Sequence, residues 1–333
     1  MISDRVKTNL RETFSNSFLP KLGLVLLVVI ILLGTFAPLL ATHDPTRTGY
    51  YSEEGAEYPP LFTQTSTPIT EDGEFTRATV EPTSEHILGT NNVGQDVFSR
   101  FLYGARVSVL VAVFATFLAL LIGVPIGLVA GYYGGKVDDT LMRLADIMLA
   151  FPALVLALAL IGVFGSAPIH IPDPFVELGV VSGMPESIPI PGSVTLVAAL
   201  VIWVWFARVA RGEAISLRNA EYVKASKSYG MSDAKILATH ILPNSLTPII
   251  VLATIQVAAV ILLEASLAYL GFSGTTLSWG YDIERGQDLL QSSWWISVVP
   301  GIGIMLAIIG VNLLGDWLRD ALDPNIEGGE RGV

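Results

Sequence analysis

The sequence predicts an all-α integral membrane protein with six transmembrane helices, and three observations carry that prediction. The first is composition. Of 333 residues, 52% are hydrophobic and only 15% charged, and the mean hydropathy is +0.59. A soluble domain has nearer 25% charged residues, too many for this chain to match. The second is the presence of six apolar runs long enough to cross a bilayer, which takes about 20 residues of helix each. The third is an uneven placement of Lys and Arg between alternate connections.

The six runs lie at about 21–41, 106–131, 141–164, 194–210, 246–270 and 296–318. They are expected to be helices, because the bilayer offers backbone groups no water to bond. The alternating segments of about ten residues that mark a membrane barrel are not seen. The first run reads as a retained anchor and not as a signal peptide. It is too long for a typical signal core, a polar tail precedes it, and no A-x-A cleavage site comes after it. The segments flanking alternate runs hold fourteen of the nineteen Lys and Arg residues. By the positive-inside rule both termini and the 211–245 connection are expected in the cytoplasm.

The connections on the opposite side differ in kind. Residues 41–104 carry ten acids against three arginines, and 165–193 carries six prolines with no Lys or Arg. Such segments read as a solvated acidic surface. The net charge of −11 argues against nucleic acid as a partner. Cysteine is absent, which removes disulfides and thiolate metal sites. The four histidines, His43, His86, His170 and His240, are scattered along the chain, so no metal site is expected. No P-loop is present, since the nearest approach, Gly131 to Val137, has the wrong spacing and no Ser or Thr after Lys136. With no H-E-x-x-H and no G-x-S-x-G either, catalytic residues are not expected. Active work by this chain therefore needs an ion gradient or another subunit.

The 211–245 connection is basic and reads as two short helices about a turn. Glu221–Tyr229 is built of good helix formers, with Val223 and Ala225 near an apolar seam. Gly230 ends the first helix, because glycine accepts positive φ. Ser232 and Asp233 are placed to cap a second helix through 234–241, and Pro243 comes next. A short helix held at the membrane surface in this way suits docking of a partner whose motion is passed to the flanking spans. Within the membrane, Glu264 and Gln256 lie two turns apart on one side of the fifth run. They read as lining for a translocation path or, for Glu264, as a structural hydrogen bond. Arg143 and Asp146 are one turn apart and are expected to pair. Trp294, Trp295 and Trp317 read as interfacial anchors.

The stretch 213–244, EAISLRNAEYVKASKSYGMSDAKILATHILPN, resembles the EAA loop of ABC importer permeases, specifically the dipeptide/oligopeptide/nickel group. Ala225, Gly230, Leu242 and Pro243 match that pattern, while Lys224, Ser226 and His240 depart from it. The stretches 88–109, 138–158, 261–272 and 312–324 are similar to further blocks of the family, in the same order. The resemblance is to the second, C-type, permease of such systems. It implies the type I importer transmembrane fold, organised as 1–104 (tail, first span and acidic segment), a five-helix core at 105–320 and a tail at 321–333. It also implies a docking surface for the ATPase made by Glu221, Lys224, Ala225, Ser226, Gly230, Asp233, Leu242 and Pro243. The implied partners are a second permease forming a heterodimer, two cytoplasmic ATPase subunits holding ATP and Mg, and an extracellular substrate-binding protein. The chain would itself bind no cofactor and would lie in the plasma membrane. Small peptides lead among the substrates, ahead of nickel complexes. The competing readings are an ion-gradient-driven secondary transporter and a membrane scaffold.

Overall fold

The computed structural model describes residues 13–322 apart from 16, 54, 72 and 73. Among the described residues, five helices are long and apolar enough to span a membrane: α1 (Phe18–Thr35), α3 (Val97–Tyr133), α7 (Gly192–Leu217), the continuous segment Asp233–Tyr269, and α12 (Trp295–Leu322). Two further helices, α4 (Gly135–Leu149) and α5 (Ala153–Phe164), meet at 93° and make a sixth span when the pair is counted as one broken crossing. The third apolar run is therefore not one straight helix. Pro152 has no N–H to donate and disfavours helical backbone at Phe151, so the ladder ends at Ala150 and restarts after the proline. With 12 residues, α5 covers only about 18 Å, short of a hydrocarbon core of about 30 Å.

The frame of the molecule is α3 packed parallel to α7. Asp96 starts α3 by accepting the N–H of Ser99 at 2.7 Å, and its 37 residues reach about 55 Å. Gly123, Gly127 and Gly131 recur every four residues along one stripe of α3. Each faces the α7 backbone so closely that a methyl group would collide with a carbonyl oxygen, of Trp203, Ala207 and Arg211 in turn. Small residues at this spacing let helices touch backbone to backbone, the main source of packing energy in lipid. Phe206, Ala207, Ala210 and Ala214 on α7 fill the seam. The helix α1 lies across α12, where Gly23 meets Leu313 and Gly310.

The membrane body is helical as expected, and the acidic and Pro-rich connections add small β elements. Strands β1 (Thr65–Glu71) and β2 (Glu74–Val80) form one antiparallel ribbon, with Thr65 opposite Val80. Strands β3 (Pro168–Pro172) and β4 (Ser187–Pro191) form a second. Around them lie two one-turn helices, α2 (Ala37–Leu40) and α6 (Pro174–Glu177). All of this sits at the end where α3 and α7 begin. At the same end the chain dips after Tyr269 through α11 (Trp279–Gly286) before α12. Trp295 is buried there and donates to the Thr90 carbonyl at 3.0 Å, so it is a core residue and not an interfacial anchor. Trp317 instead meets Phe14 edge-on.

Candidate coupling and translocation site

At the far end of α3 and α7 the chain turns out of α7 into α8 (Glu221–Ser228). Only Val223 of this helix is buried, at 2% exposure. Glu221, Lys224 and Ala225 all face outward, so Ala225 does not share the apolar seam of Val223. The turn comes at Gly230, whose φ is +80° and around which no atom lies within 4 Å of an added methyl. Tyr229 beside it is 91% exposed. The next helix, α9 (Asp233–Ile236), has Ser232 at its N-cap position with no side-chain cap hydrogen bond. It does not stop before the fifth span. It continues through a π-helical segment, Leu237–Ile241, into α10 (Leu242–Tyr269). Pro243 explains the wider turn. It has no N–H for the carbonyl four residues back, and its ring crowds that carbonyl, which an i→i+5 register relieves.

Three contacts tie α8 and its turn to the body. Asp233 accepts from Tyr132 of α3 at 2.7 Å and faces Lys227 at 3.5 Å. Ser226 Oγ donates to the Tyr222 carbonyl at 2.8 Å and meets His240 Nε2 at 3.1 Å. Leu242 packs against the core, and Pro243 is exposed. Behind them, Arg218 donates to the Gly131 carbonyl at 2.9 Å, and Arg211 grips Asp138 with both prongs of its guanidinium. Asp146 pairs with Arg208 of α7 at 2.7 Å, not with Arg143 as the spacing within α4 suggested. Arg143 is left on an open face with Lys136 and Asp139. The helix α7 runs alongside α4 and supplies a partner that sequence spacing within α4 does not reveal.

Gln256 and Glu264 are both buried, and they serve different neighbourhoods. Gln256 lines an open cavity of ≈ 570 Å³ between α4, α5, α7 and α10, with Met148, Phe151, Trp205 and Ser266 on its wall. Glu264 lies outside that cavity at 1% exposure, where Oε2 accepts from Ser108 of α3 at 3.0 Å. Its other oxygen, Oε1, has no hydrogen-bond partner among the described residues.

Sequence reasoning missed the polar cluster at the opposite end. Arg100 is 2% exposed and donates to Asp282 of α11 at 2.7 Å, to Gln95 at 2.9 Å and to the Pro45 carbonyl at 3.1 Å. It also reaches the Thr276 carbonyl. Arg106 pairs with Asp173 at the second ribbon. The available signal was an arginine at each of two positions in the first turns of a long apolar helix. Close by, His43 and His86 come together with ring centroids 4.6 Å apart, beside Asp96. Burial raises the Asp96 carboxyl, but hydrogen bonds from His86 and Ser99 outweigh it and hold the group below the ordinary carboxylate range.

A many-helix membrane body carries, at one end, a short exposed helix that is followed by a glycine turn. Residues 123–328 match the family described as binding-protein-dependent transport system inner membrane component, and the chain belongs to that family. It is 36% identical over 322 residues to the dipeptide transport system permease protein DppC of Alkalihalophilus pseudofirmus, covering 95% of this chain and 90% of that one. It is 32% identical over 317 residues to the oligopeptide transport system permease protein OppC of Bacillus subtilis, covering 94% and 88%. A chain of the MetNI methionine ABC transporter in inward-facing form superposes with TM-score 0.46 at 16% identity, over 67% of this chain and 97% of that one. The protein is thus a multi-pass membrane permease of an ABC importer. Family membership displaces both the ion-gradient transporter and the scaffold.

Proposed function

We propose that this permease forms, with a second and different permease, the path by which small peptides enter the cell. The substrate class rests on the relatives, which are named for dipeptide and oligopeptide transport. Two ATPase subunits, carrying ATP and Mg, dock on the face made by Glu221, Lys224, Ala225, Ser226, Gly230, Asp233, Leu242 and Pro243. A substrate-binding protein delivers to the opposite end, where residues 41–96 and the two ribbons gather. Both termini and α8 lie on the cytoplasmic side of the plasma membrane, in keeping with the Lys and Arg bias. Gln256 lines the path through its open cavity, and Glu264 braces α10 against α3.

The observation that carries this reading is α8 itself. It is a helix with one buried residue, held to the rest of the chain at Val223, Ser226 and Lys227 and followed by a positive-φ glycine with open space around it. Ala225→Glu and Gly230→Val test it in the assembled transporter. The valine strains a left-handed backbone by about 1–2 kcal/mol, and the glutamate adds bulk and charge to the exposed face. Both variants are expected to insert normally yet to lose ATPase co-purification or transport-linked hydrolysis. Wild-type co-purification and transport by both would refute docking at α8.

A further inference from the structure

We infer that His43, His86 and Asp96 form a binding site for one divalent ion of the zinc class, at the end of the molecule where α3 begins. The three residues come from separate stretches. His43 lies just after α2, His86 lies in the turn before α3, and Asp96 caps α3. One potential ligand atom from each lies within 4.8 Å of the others. His86 Nδ1 is 2.9 Å and His43 Nδ1 is 4.0 Å from the same oxygen, Asp96 Oδ1. Ligands about 2.0–2.1 Å from a tetrahedral zinc stand roughly 3.3 Å from one another, a value between these two separations.

The surroundings fix the donors. Asp96 Oδ2 is occupied, accepting the Ser99 N–H at 2.7 Å and the Thr42 hydroxyl at 3.3 Å, which leaves Oδ1 turned to the imidazoles. The rings of Tyr50 and Tyr58 flank His86 at centroid distances of 4.8 and 5.7 Å. These rings restrict the turning of the His86 imidazole. A hydrogen-bonded His–Asp pair needs only one imidazole, yet a second stands with its Nδ1 4.0 Å from the same carboxylate oxygen. His43 Nδ1 meets Thr42 Oγ1 at 3.1 Å, a contact that a small ring rotation exchanges for the ion.

The donor set selects the ion. Two imidazole nitrogens with one carboxylate oxygen suit zinc and its borderline neighbours, whereas calcium and magnesium take oxygen shells. Without the ion, a carboxylate can only accept, so His86 Nδ1–H donates to Asp96. With it, Nδ1 becomes the ligand and the imidazole carries its proton on Nε2. His43 has a side-chain exposure of 21% against 2% for His86, so it provides the entry and leaves a fourth position to water. A bound ion would clamp the start of α3 to the chain on either side of the β1–β2 ribbon.

The test uses the full-length permease in its assembled complex, stripped with chelator and titrated with ZnCl2 or MgCl2. Wild type is expected to take up one zinc per chain and to melt at a higher temperature with zinc but not with magnesium. His43→Gln keeps the Asp96–His86 bond and the α3 cap. It is expected to weaken zinc binding at least tenfold and to lose the rise in melting temperature that zinc gives the wild type. X-ray absorption on zinc-loaded wild type supplies a readout that needs no variant and is expected to show two imidazoles. Fewer than two imidazoles, no zinc uptake, or equal affinity in His43→Gln would each overturn the assignment.

Discussion

Replacing Gly127 with alanine probes the contact on which the frame of this permease depends. An added Cβ there would stand 2.8 Å from the Ala207 carbonyl carbon and 2.9 Å from its Cα, with the carbonyl oxygen closer still. These are backbone atoms, so no side chain can swing aside, and α3 and α7 must part. Forcing a methyl group into a close-packed contact costs roughly 1–3 kcal/mol. The gain from removing a helical glycine returns about 0.5–1 kcal/mol. The expected net loss is about 0–2.5 kcal/mol, up to a factor of roughly 70 in the folding equilibrium, and the clash of about 1–3 kcal/mol is the full difference from a glycine replaced in open space. Gly212→Ala on α7 is the control, since nothing lies within 4 Å of its added methyl. It gains the helix term alone and is expected to be neutral or stabilising. Denaturing-detergent titration of the purified complex, monitored by helix signal, reads both. A Gly127→Ala variant as stable as Gly212→Ala would show that α3 and α7 do not meet backbone to backbone.

Arg100→Met strands Asp282 in a buried site and is expected to cost about 3–5 kcal/mol, seen as lost expression of folded protein. Adding Asp282→Leu is expected to restore much of it, and no recovery in the double variant would mean that the two charges are not coupled. Glu264→Gln retains a hydrogen-bonding oxygen for Ser108 and is expected to preserve assembly, whereas Glu264→Leu leaves that hydroxyl unpaired at about 1–3 kcal/mol. Equal yields of complex from both would remove the bracing role. Single cysteines at the exposed positions Ser66, Ser182 and Ser292 are expected to label with an impermeant reagent from outside intact cells, and one at exposed Ser228 is not. Ser278 is unsuitable for that set because it is buried at the start of α11. Labelling of the Ser228 variant would reverse the orientation.

The range of each force decides how much of its effect is legible in the sequence. Bilayer crossing is decided by the apolar content of about twenty consecutive residues, so all six runs were visible. The bend in the third was not, because run length is insensitive to one proline. Pro152 stands at the bend, but Pro125, Pro248 and Pro300 stand inside helices that stay continuous, so a proline in an apolar run does not by itself mark a break. The Gly230 turn was legible because positive φ is a local demand. The four-residue stripe of Gly123, Gly127 and Gly131 is equally local, but it lies inside an apolar run, where hydropathy alone does not set glycine apart. Residues 65–80 lie in a stretch whose acids and threonines suggested only solvation, although two seven-residue strands pair there. The Arg208–Asp146 and His43–His86–Asp96 contacts have no sequence signature, and at Arg100 the sequence shows the arginine but not its partner Asp282. Their partners are brought together by helix packing, at separations of up to 182 positions.

The placement of rigid and loosened backbone bears on how a push on α8 would travel. Helices α3 and α7 are joined by the glycine seam and, at its end, by Arg218 on the Gly131 carbonyl. A displacement of α8 relative to that pair meets close-packed backbone, which transmits strain but does not rearrange cheaply. On its other side α8 reaches His240 through Ser226, and His240 lies within the π-helical Leu237–Ile241. A π segment is where the helical ladder is least regular, and a change of register there shifts or rotates the helix beyond it. That helix is α10, with Gln256 on the cavity wall and Glu264 against Ser108. The softer route from the proposed docking face to the proposed path therefore runs through α10, with α3 and α7 as the fixed frame. Restoring a regular i→i+4 ladder with Pro243→Ala would stiffen that route. It is expected to reduce transport per ATP hydrolysed while leaving ATPase binding intact, and unchanged coupling in that variant would place the moving element elsewhere.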